Sequence, residues 1–224
     1  VWGNNNNGQL GQSDITHRSS PIQVSSSPAW RTGSFGNPNL VIKMDGSLWA
    51  WGAGTNGAKG DGTVNNTSSP VQIGSLTNWY YISSFAATIS AAVKTDGTLW
   101  TWGLNTNGQL GTNDIVHRSS PTQIGSLTNW AYVSAGSQYV LATKTDGSLW
   151  SWGINTNGCL GSSTITSRSS PVQVGLLNDW RIVSAGSFAS ASIKTDGTLW
   201  TWGNNTGGQL GSGTITLRSS PLQV

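Results

Sequence analysis

One phrase returns along this chain with almost no change. "KTDGTLWTWGLNTNGQLG" (Lys94 to Gly111) recurs as "KTDGSLWSWGINTNGCLG" (Lys144 to Gly161) and "KTDGTLWTWGNNTGGQLG" (Lys194 to Gly211). The Trp-Gly anchors Trp2, Trp51, Trp102, Trp152 and Trp202 lie 49, 51, 50 and 50 residues apart. From each anchor to the next isolated Trp (Trp30, Trp79, Trp130, Trp180) is always 28 residues, and from Lys43, Lys94, Lys144 or Lys194 to the following anchor is always 8. All length variation falls between, from each isolated Trp to its Lys, where the spacing is 13, 15, 14 and 14. Insertions are tolerated where chain runs over a surface, so that segment holds a surface turn.

One unit reads as four short strands. "WAYVSAG" alternates and ends in small residues, as a strand entering a crowded place does. "YVLATK" is a second strand, and "TDG" signals a tight hairpin with positive φ at Gly147. "SLWSWG" is the third, with Trp150 and Trp152 on one face. A Gly- and Asn-rich loop leads to "SSPVQV", where Pro171 demands an edge position. Helical periodicity is absent. Four short strands per fifty residues describe a propeller blade. A small twisted sheet cannot cover its own two faces, so each blade needs the same contacts from its neighbours. The pairs Trp49/Trp51, Trp100/Trp102, Trp150/Trp152 and Trp200/Trp202 are the expected interblade filling, each burial contributing about 2–3 kcal/mol. The small "VSAG" residues are expected innermost.

Composition narrows the function classes. Only 8% of residues are charged, the eight acids are all Asp, and the net charge of +3 comes without any basic run. That argues against a phosphate-tracking stripe and hence against nucleic acid. A single cysteine, Cys159, stands where the other copies have Gln and excludes an internal disulfide framework. No apolar stretch reaches the roughly 20 residues of a spanning helix, so membrane insertion is not expected.

The words "DGTLWTWGNNTGGQLG" and "SSPLQV" resemble the RCC1 (regulator of chromosome condensation) repeat, with its hairpin, aromatic-x-W-G and N-x-x-G-Q-L-G. The resemblance covers essentially the whole chain and implies an all-β propeller, seven-bladed in most of the family. Its best-known activity is guanine-nucleotide exchange on a small GTPase, through acidic and His residues in loops. None of those is matched here, and "AGSQYVLA" and "AGSFASAS" lack the family's His. Near-identical copies rich in Asn, Ser and Thr are closest in character to RCC1-like propellers of bacteria and phages.

Residues 1–24 read as a partial blade, followed by units at about 25–74, 75–125, 126–175 and 176–224. The chain thus covers about four and a half blades, whereas a seven-bladed ring needs about 350 residues. The expectation is part of a larger ring, the remainder lying outside this sequence or supplied by another chain.

Candidate chemistry meets a structural explanation each time. "DITHRSS" and "DIVHRSS" bring Asp, His and Ser together on one loop. A hydrolase triad draws its members from separate elements, and the later copies "TITSRSS" and "TITLRSS" lose both Asp and His. The hairpin residues Asp45, Asp96, Asp146 and Asp196 are turn formers, since one Asp per blade cannot supply a calcium shell. Two His and one Cys are too few for zinc. No catalytic residue, metal or cofactor is expected.

What remains is surface. In a four-stranded blade the turn between strands 1 and 2 and the loop between strands 3 and 4 emerge on one face, and the length variation lies there. Repeat proteins concentrate variation on a binding face. The expected contact residues are Phe35, Asn37, Asn39, Lys59, Asp61, Phe85, Gln138, Tyr139 and Phe188, with uniform Asp-Gly hairpins opposite. The function this implies is a non-enzymatic recognition or assembly platform. It would bind a protein or a surface glycan, or serve with companion structural proteins on a virion, phage or bacterial surface. The alternatives are an intracellular exchange regulator and a purely architectural array.

Overall fold

The computed structural model describes residues 1–24 and 29–224. The expected start of the first full unit, at residue 25, lies outside them. Sixteen strands form four four-stranded antiparallel sheets, each a meander in chain order. The first blade comprises β1 (Trp30–Ser34), β2 (Asn39–Lys43), β3 (Leu48–Gly52) and β4 (Thr67–Gln72), and the second β5 (Trp79–Phe85), β6 (Ile89–Lys94), β7 (Leu99–Gly103) and β8 (Arg118–Gln123). The third comprises β9 (Trp130–Ala135), β10 (Tyr139–Lys144), β11 (Leu149–Gly153) and β12 (Arg168–Gln173), and the fourth β13 (Trp180–Ala185), β14 (Ala189–Lys194), β15 (Leu199–Gly203) and β16 (Arg218–Gln223). Residues 1–24 follow the strand 3–strand 4 path, with Gly3 and Arg18 paired in an antiparallel bridge. Among the described residues the one helical element is a 3-10 turn at Thr55–Gly57, and no helix there is long and apolar enough to cross a membrane.

Local sequence accounts for each blade. At the second hairpin of the third blade, Gly147 sits at φ 80 and its N–H donates to Lys144 O at 2.9 Å. Asp146 Oδ1 accepts from the Ser148 N–H at 2.9 Å and from its hydroxyl at 2.6 Å. Ser148 Oγ in turn accepts from Trp150 Nε1 at 2.9 Å. The relay recurs as Asp45–Ser47–Trp49, Asp96–Thr98–Trp100 and Asp196–Thr198–Trp200. The Asp of "DG" therefore orients the first Trp of the third strand as well as forming the turn. The hydroxyl and backbone donors hold all four carboxyls below their ordinary value of 3.8. The fourth strand, with its Pro, takes the outer edge in every sheet.

The core lies between blades. Leu40, Ile42 and Leu48 of the first blade pack against Trp79, Ile82 and Trp102 of the second. Ile89, Val93 and Leu99 meet Trp130, Val133 and Trp152, and Leu141, Leu149 and Leu160 meet Trp180, Val183 and Trp202. Each junction thus sets an aliphatic face against a Trp face. β6 and β10 are buried throughout because both faces are covered, whereas β14 alternates between buried and half-buried.

The two Trp of each third strand differ in role. Trp51, Trp102, Trp152 and Trp202 are fully buried beneath the preceding loop. Trp102 Nε1 donates to Ala58 O at 2.9 Å, Trp51 to Gln9 O at 3.0 Å and Trp202 to Cys159 O at 2.8 Å. Gly111, at φ +77, lies so close to Trp152 that a Cβ there would stand 2.7 Å from Nε1. Trp49, Trp100, Trp150 and Trp200 are only half-buried. Their rings are capped by the recurrent Lys, as with Lys94 Nζ, 3.7 Å from the Trp100 centroid and 4.6 Å from that of Trp79. Such a cation–π contact keeps the charge compensated in a dry place. Burial still pulls the Lys94 and Lys144 pKa down.

The first strands line the centre and are riveted by serines. Ser34 Oγ accepts from the Ser84 N–H at 3.0 Å, Ser83 Oγ from the Ala135 N–H at 3.0 Å, and Ser134 Oγ from the Ala185 N–H at 2.9 Å. This explains the serine of "VSAG" better than small size alone.

Replacing Trp102 or Trp152 with Ala should cost about 3–5 kcal/mol in urea denaturation, as expected for a buried aromatic that leaves a cavity. The depressed carboxyls set the pH response. A lowered folded-state pKa contributes stability that is present above the unfolded value and lost as pH falls through the folded one. The denaturation midpoint should therefore hold between pH 8 and pH 5, about where unfolded Asp stays ionised, and fall steadily below about pH 4.

Candidate functional site

The 1–2 turns and 3–4 loops share one face, as Asn107 Nδ2 donating to Gln138 Oε1 at 2.7 Å shows. The loops are built on a buried Asn three residues after each anchor. Asn105 Oδ1 accepts from the Leu110 N–H at 2.9 Å, while its Nδ2 reaches Asp114 O at 3.0 Å and Val116 O at 3.1 Å. Asn5, Asn155 and Asn205 are equally buried and repeat the pattern. His17 and His117 complete it as acceptors, taking the N–H of Asn5 at 2.9 Å and of Asn105 at 2.8 Å on Nδ1. The neighbouring Asp14 and Asp114 pair with Arg18 and Arg118 at 2.6 and 2.7 Å. The Asp and His of these loops are thus employed separately in holding the loop.

The first blade departs from this plan, and the departure corrects an expectation. Gly54 replaces the Asn and Lys59 replaces the buried Leu. The Lys59 side chain is fully buried, donating from Nζ to Asn65 O at 2.8 Å and pairing with Asp61 at 2.7 Å. Asn65 O corresponds to Val116 O, so the ammonium does the work of the missing amide. Burial pushes the Asp61 carboxyl up, but Lys59 and the Thr63 hydroxyl and N–H outweigh it and hold it low. Lys59 is a loop anchor inside the protein and offers nothing to a partner.

Two further residues move inward. Tyr139 is completely buried at the junction of the third and fourth blades. Its hydroxyl donates to Ala189 O at 2.8 Å and accepts from Ser190 Oγ at 2.9 Å and from the Gly186 N–H at 3.2 Å, and burial raises its pKa. Asn39 is 5% exposed and donates to Gln9 O at 2.6 Å, stitching a turn to the preceding loop. A large polar residue in a turn reads as surface in sequence, and only the neighbouring blade encloses these two.

The other predicted residues keep some access to solvent. Phe35 is 71% exposed. Asn37, Asp61, Phe85, Gln138 and Phe188 are half-buried. Asn37 Oδ1 accepts from the Ala53 N–H at 2.7 Å, and Phe85 leans on the second junction's core.

Two groups of exposed side chains were not anticipated. The first is a series of aliphatics at one loop position: Ile15, Val64, Ile115, Ile165 and Ile215, all between 61% and 72% exposed. Their signal was the recurrent β-branched residue in "DIT", "TVN", "DIV" and "TIT", hidden in a stretch that reads as polar. The second lies on the hairpin face, which is less uniform than expected. The residues after each isolated Trp are Arg31-Thr32, Tyr80-Tyr81, Ala131-Tyr132 and Arg181-Ile182, and most of them are exposed. Among the described residues, no group of three His, Cys, Asp or Glu is placed to hold a metal ion.

Blades locked through Trp, loops stitched by Asn and a face of turns define a β-propeller repeat protein. The regulator of chromosome condensation (RCC1) repeat pattern matches residues 1–37, 45–89, 96–143, 146–193 and 196–224, and a second RCC1 pattern matches 130–159 and 180–209. The chain belongs to the RCC1 repeat family. Its fold is similar to that of human WBSCR16 (TM-score 0.87, 23% identity, covering 100% of this chain and 61% of that one). It is also similar to yeast RCC1 (Prp20) in the structure with Kap60 (TM-score 0.84, 22% identity, 95% and 53% covered). The structure of Saccharomyces cerevisiae Prp20p, described with its binding to Gsp1p and histones, superposes alike (TM-score 0.83, 22% identity, 95% and 55% covered). The chain spans a little over half the length of these proteins.

Removing one partner of the Lys59–Asp61 pair should strand a buried charge. Asp61→Asn should cost about 3–5 kcal/mol in urea denaturation, whereas Asp14→Asn, at a solvent-exposed pair, should shift the midpoint far less.

Proposed function

We propose that this chain is a rigid protein-recognition platform that works through the face of its 1–2 turns and 3–4 loops. The observation that carries the reading is the series Ile15, Val64, Ile115, Ile165 and Ile215. Five aliphatic side chains stand in solvent at one position of successive loops, although the loops are already held by a buried Asn or, in the first blade, by Lys59. Single exposed aliphatics are ordinary, but a repeated set on one face suits an apolar contact surface. Phe35 and Gln138 add aperiodic features to the same face, which would let a partner select a register. The loops beneath are hydrogen-bonded throughout, so little entropy is lost on binding.

Proteins of similar fold bind proteins, as the Prp20 structures with Kap60 and with studies of Gsp1p and histones record. The low charge and the Asn-, Ser- and Thr-rich loops favour an exposed working site such as a virion or bacterial surface, and the loop Asp and His residues, Asp14, His17, Asp114 and His117, are engaged within their own loops.

An immobilised chain presented with a protein array that includes Gsp1p and core histones tests the reading. Wild type should retain protein ligands; Phe35→Ala/Ile115→Ser/Ile165→Ser should lose them with an unchanged denaturation midpoint, and Met44→Ala/Thr195→Ala on the hairpin face should keep them. Retention by the first variant equal to wild type would sink the proposal. Accelerated release of labelled nucleotide from Gsp1p would establish the exchange reading instead.

A further inference from the structure

The hairpin face carries a cleft that the platform reading does not use. It opens between the second and third blades with a volume of about 490 Å³, in the range of small-ligand sites. Tyr80 of β5 and Tyr132 of β9 flank it, 51% and 38% exposed, over a floor that includes Val93 and Trp130. We propose that this cleft is a binding site for a neutral saccharide.

Both rings are held before any ligand arrives. The Arg31 guanidinium lies 5.5 Å from the Tyr80 ring centroid and is itself fixed by donating to Trp79 O and Tyr80 O, each at 2.8 Å. Tyr132 stands edge-on to Tyr81, with centroids 4.9 Å apart and an interplanar angle of 71°. Exposed rings fixed by neighbours lose little freedom on binding, and each offers an apolar face beside a polar hydroxyl.

The rim selects the ligand class. Thr95, Thr128 and Thr145 line it with hydroxyls able both to donate and to accept. Asp96 Oδ1 is engaged by Thr98, but its Oδ2 has only a 3.3 Å contact from Asn78 Nδ2 and keeps acceptor capacity. Lys94, the one cation among the lining residues, is 4% exposed and seated on Trp79 and Trp100, and the Arg31 guanidinium beside Tyr80 is taken up by that ring and two backbone carbonyls, so no unengaged positive charge lines the cleft. Aromatic faces, hydroxyls and one acceptor carboxylate fit a ring that has an apolar C–H face and hydroxyl edges, which is the chemistry of a neutral pyranose. At the next junction the corresponding positions are Ala131, Arg181 and Ile182, so the combination is not a by-product of the repeat.

The test is tryptophan and tyrosine fluorescence titration of the full chain with neutral cellohexaose, mannohexaose and chitohexaose, with dextran sulfate as the anionic comparison. At least one neutral hexasaccharide should bind saturably. Tyr80→Ala and Tyr132→Ala should each weaken it by about tenfold or more, while Tyr132→Phe retains it. Thr195→Ala should leave it unchanged. If Tyr132→Ala fails to fold, Tyr80→Ala decides, since its ring packs only at the surface. No binding to any of the three, binding that survives both alanine variants, or binding confined to dextran sulfate would overturn the assignment.

Discussion

The structure depends on an indole seated under its neighbour's loop. Trp51, Trp102, Trp152 and Trp202 fill the junctions, and a loop glycine gives each the room to lie flat against backbone. A side chain of this size buries more apolar surface than any other a small sheet could offer. Because the seat belongs to one blade and the indole to the next, neither blade completes its core alone. Spacing, loop length and glycine placement follow, since an indole displaced by one residue would point to the other face of the sheet.

The other recurrent residues serve that junction. Asp and Ser or Thr at the hairpin orient the outer Trp, and Lys caps it. Serine rivets set the pitch of the first strands, and Asn braces the loop that forms the seat. The first blade shows that the plan can be met by different chemistry. There the Lys59 ammonium and its Asp61 partner replace an Asn and a Leu at once. With so much of the sequence committed to the lattice, partner selection falls to residues outside it. These form two groups on opposite faces: the loop aliphatics with Phe35, and the tyrosines beside the Asp-Gly hairpins.

The sequence alone determined the four-stranded blade, the 1–2 turn as the place of length variation, the edge position of the Pro-containing strand and the family. These rest on period, on alternation and on Gly and Pro, which act within a few residues of themselves. Tertiary structure decided which residues remain outside. Tyr139, Asn39 and Lys59 look like surface residues because their own strands and turns do not cover them; the adjacent blade or a refolded loop does. Ile115 and its counterparts look like part of a polar loop because nothing local shows whether a β-branched residue is packed. Tyr80 and Tyr132 are 52 residues apart and flank one cleft only because neighbouring blades place equivalent strands side by side. Burial and convergence belong to pairs of blades, and a repeat read one unit at a time does not contain them.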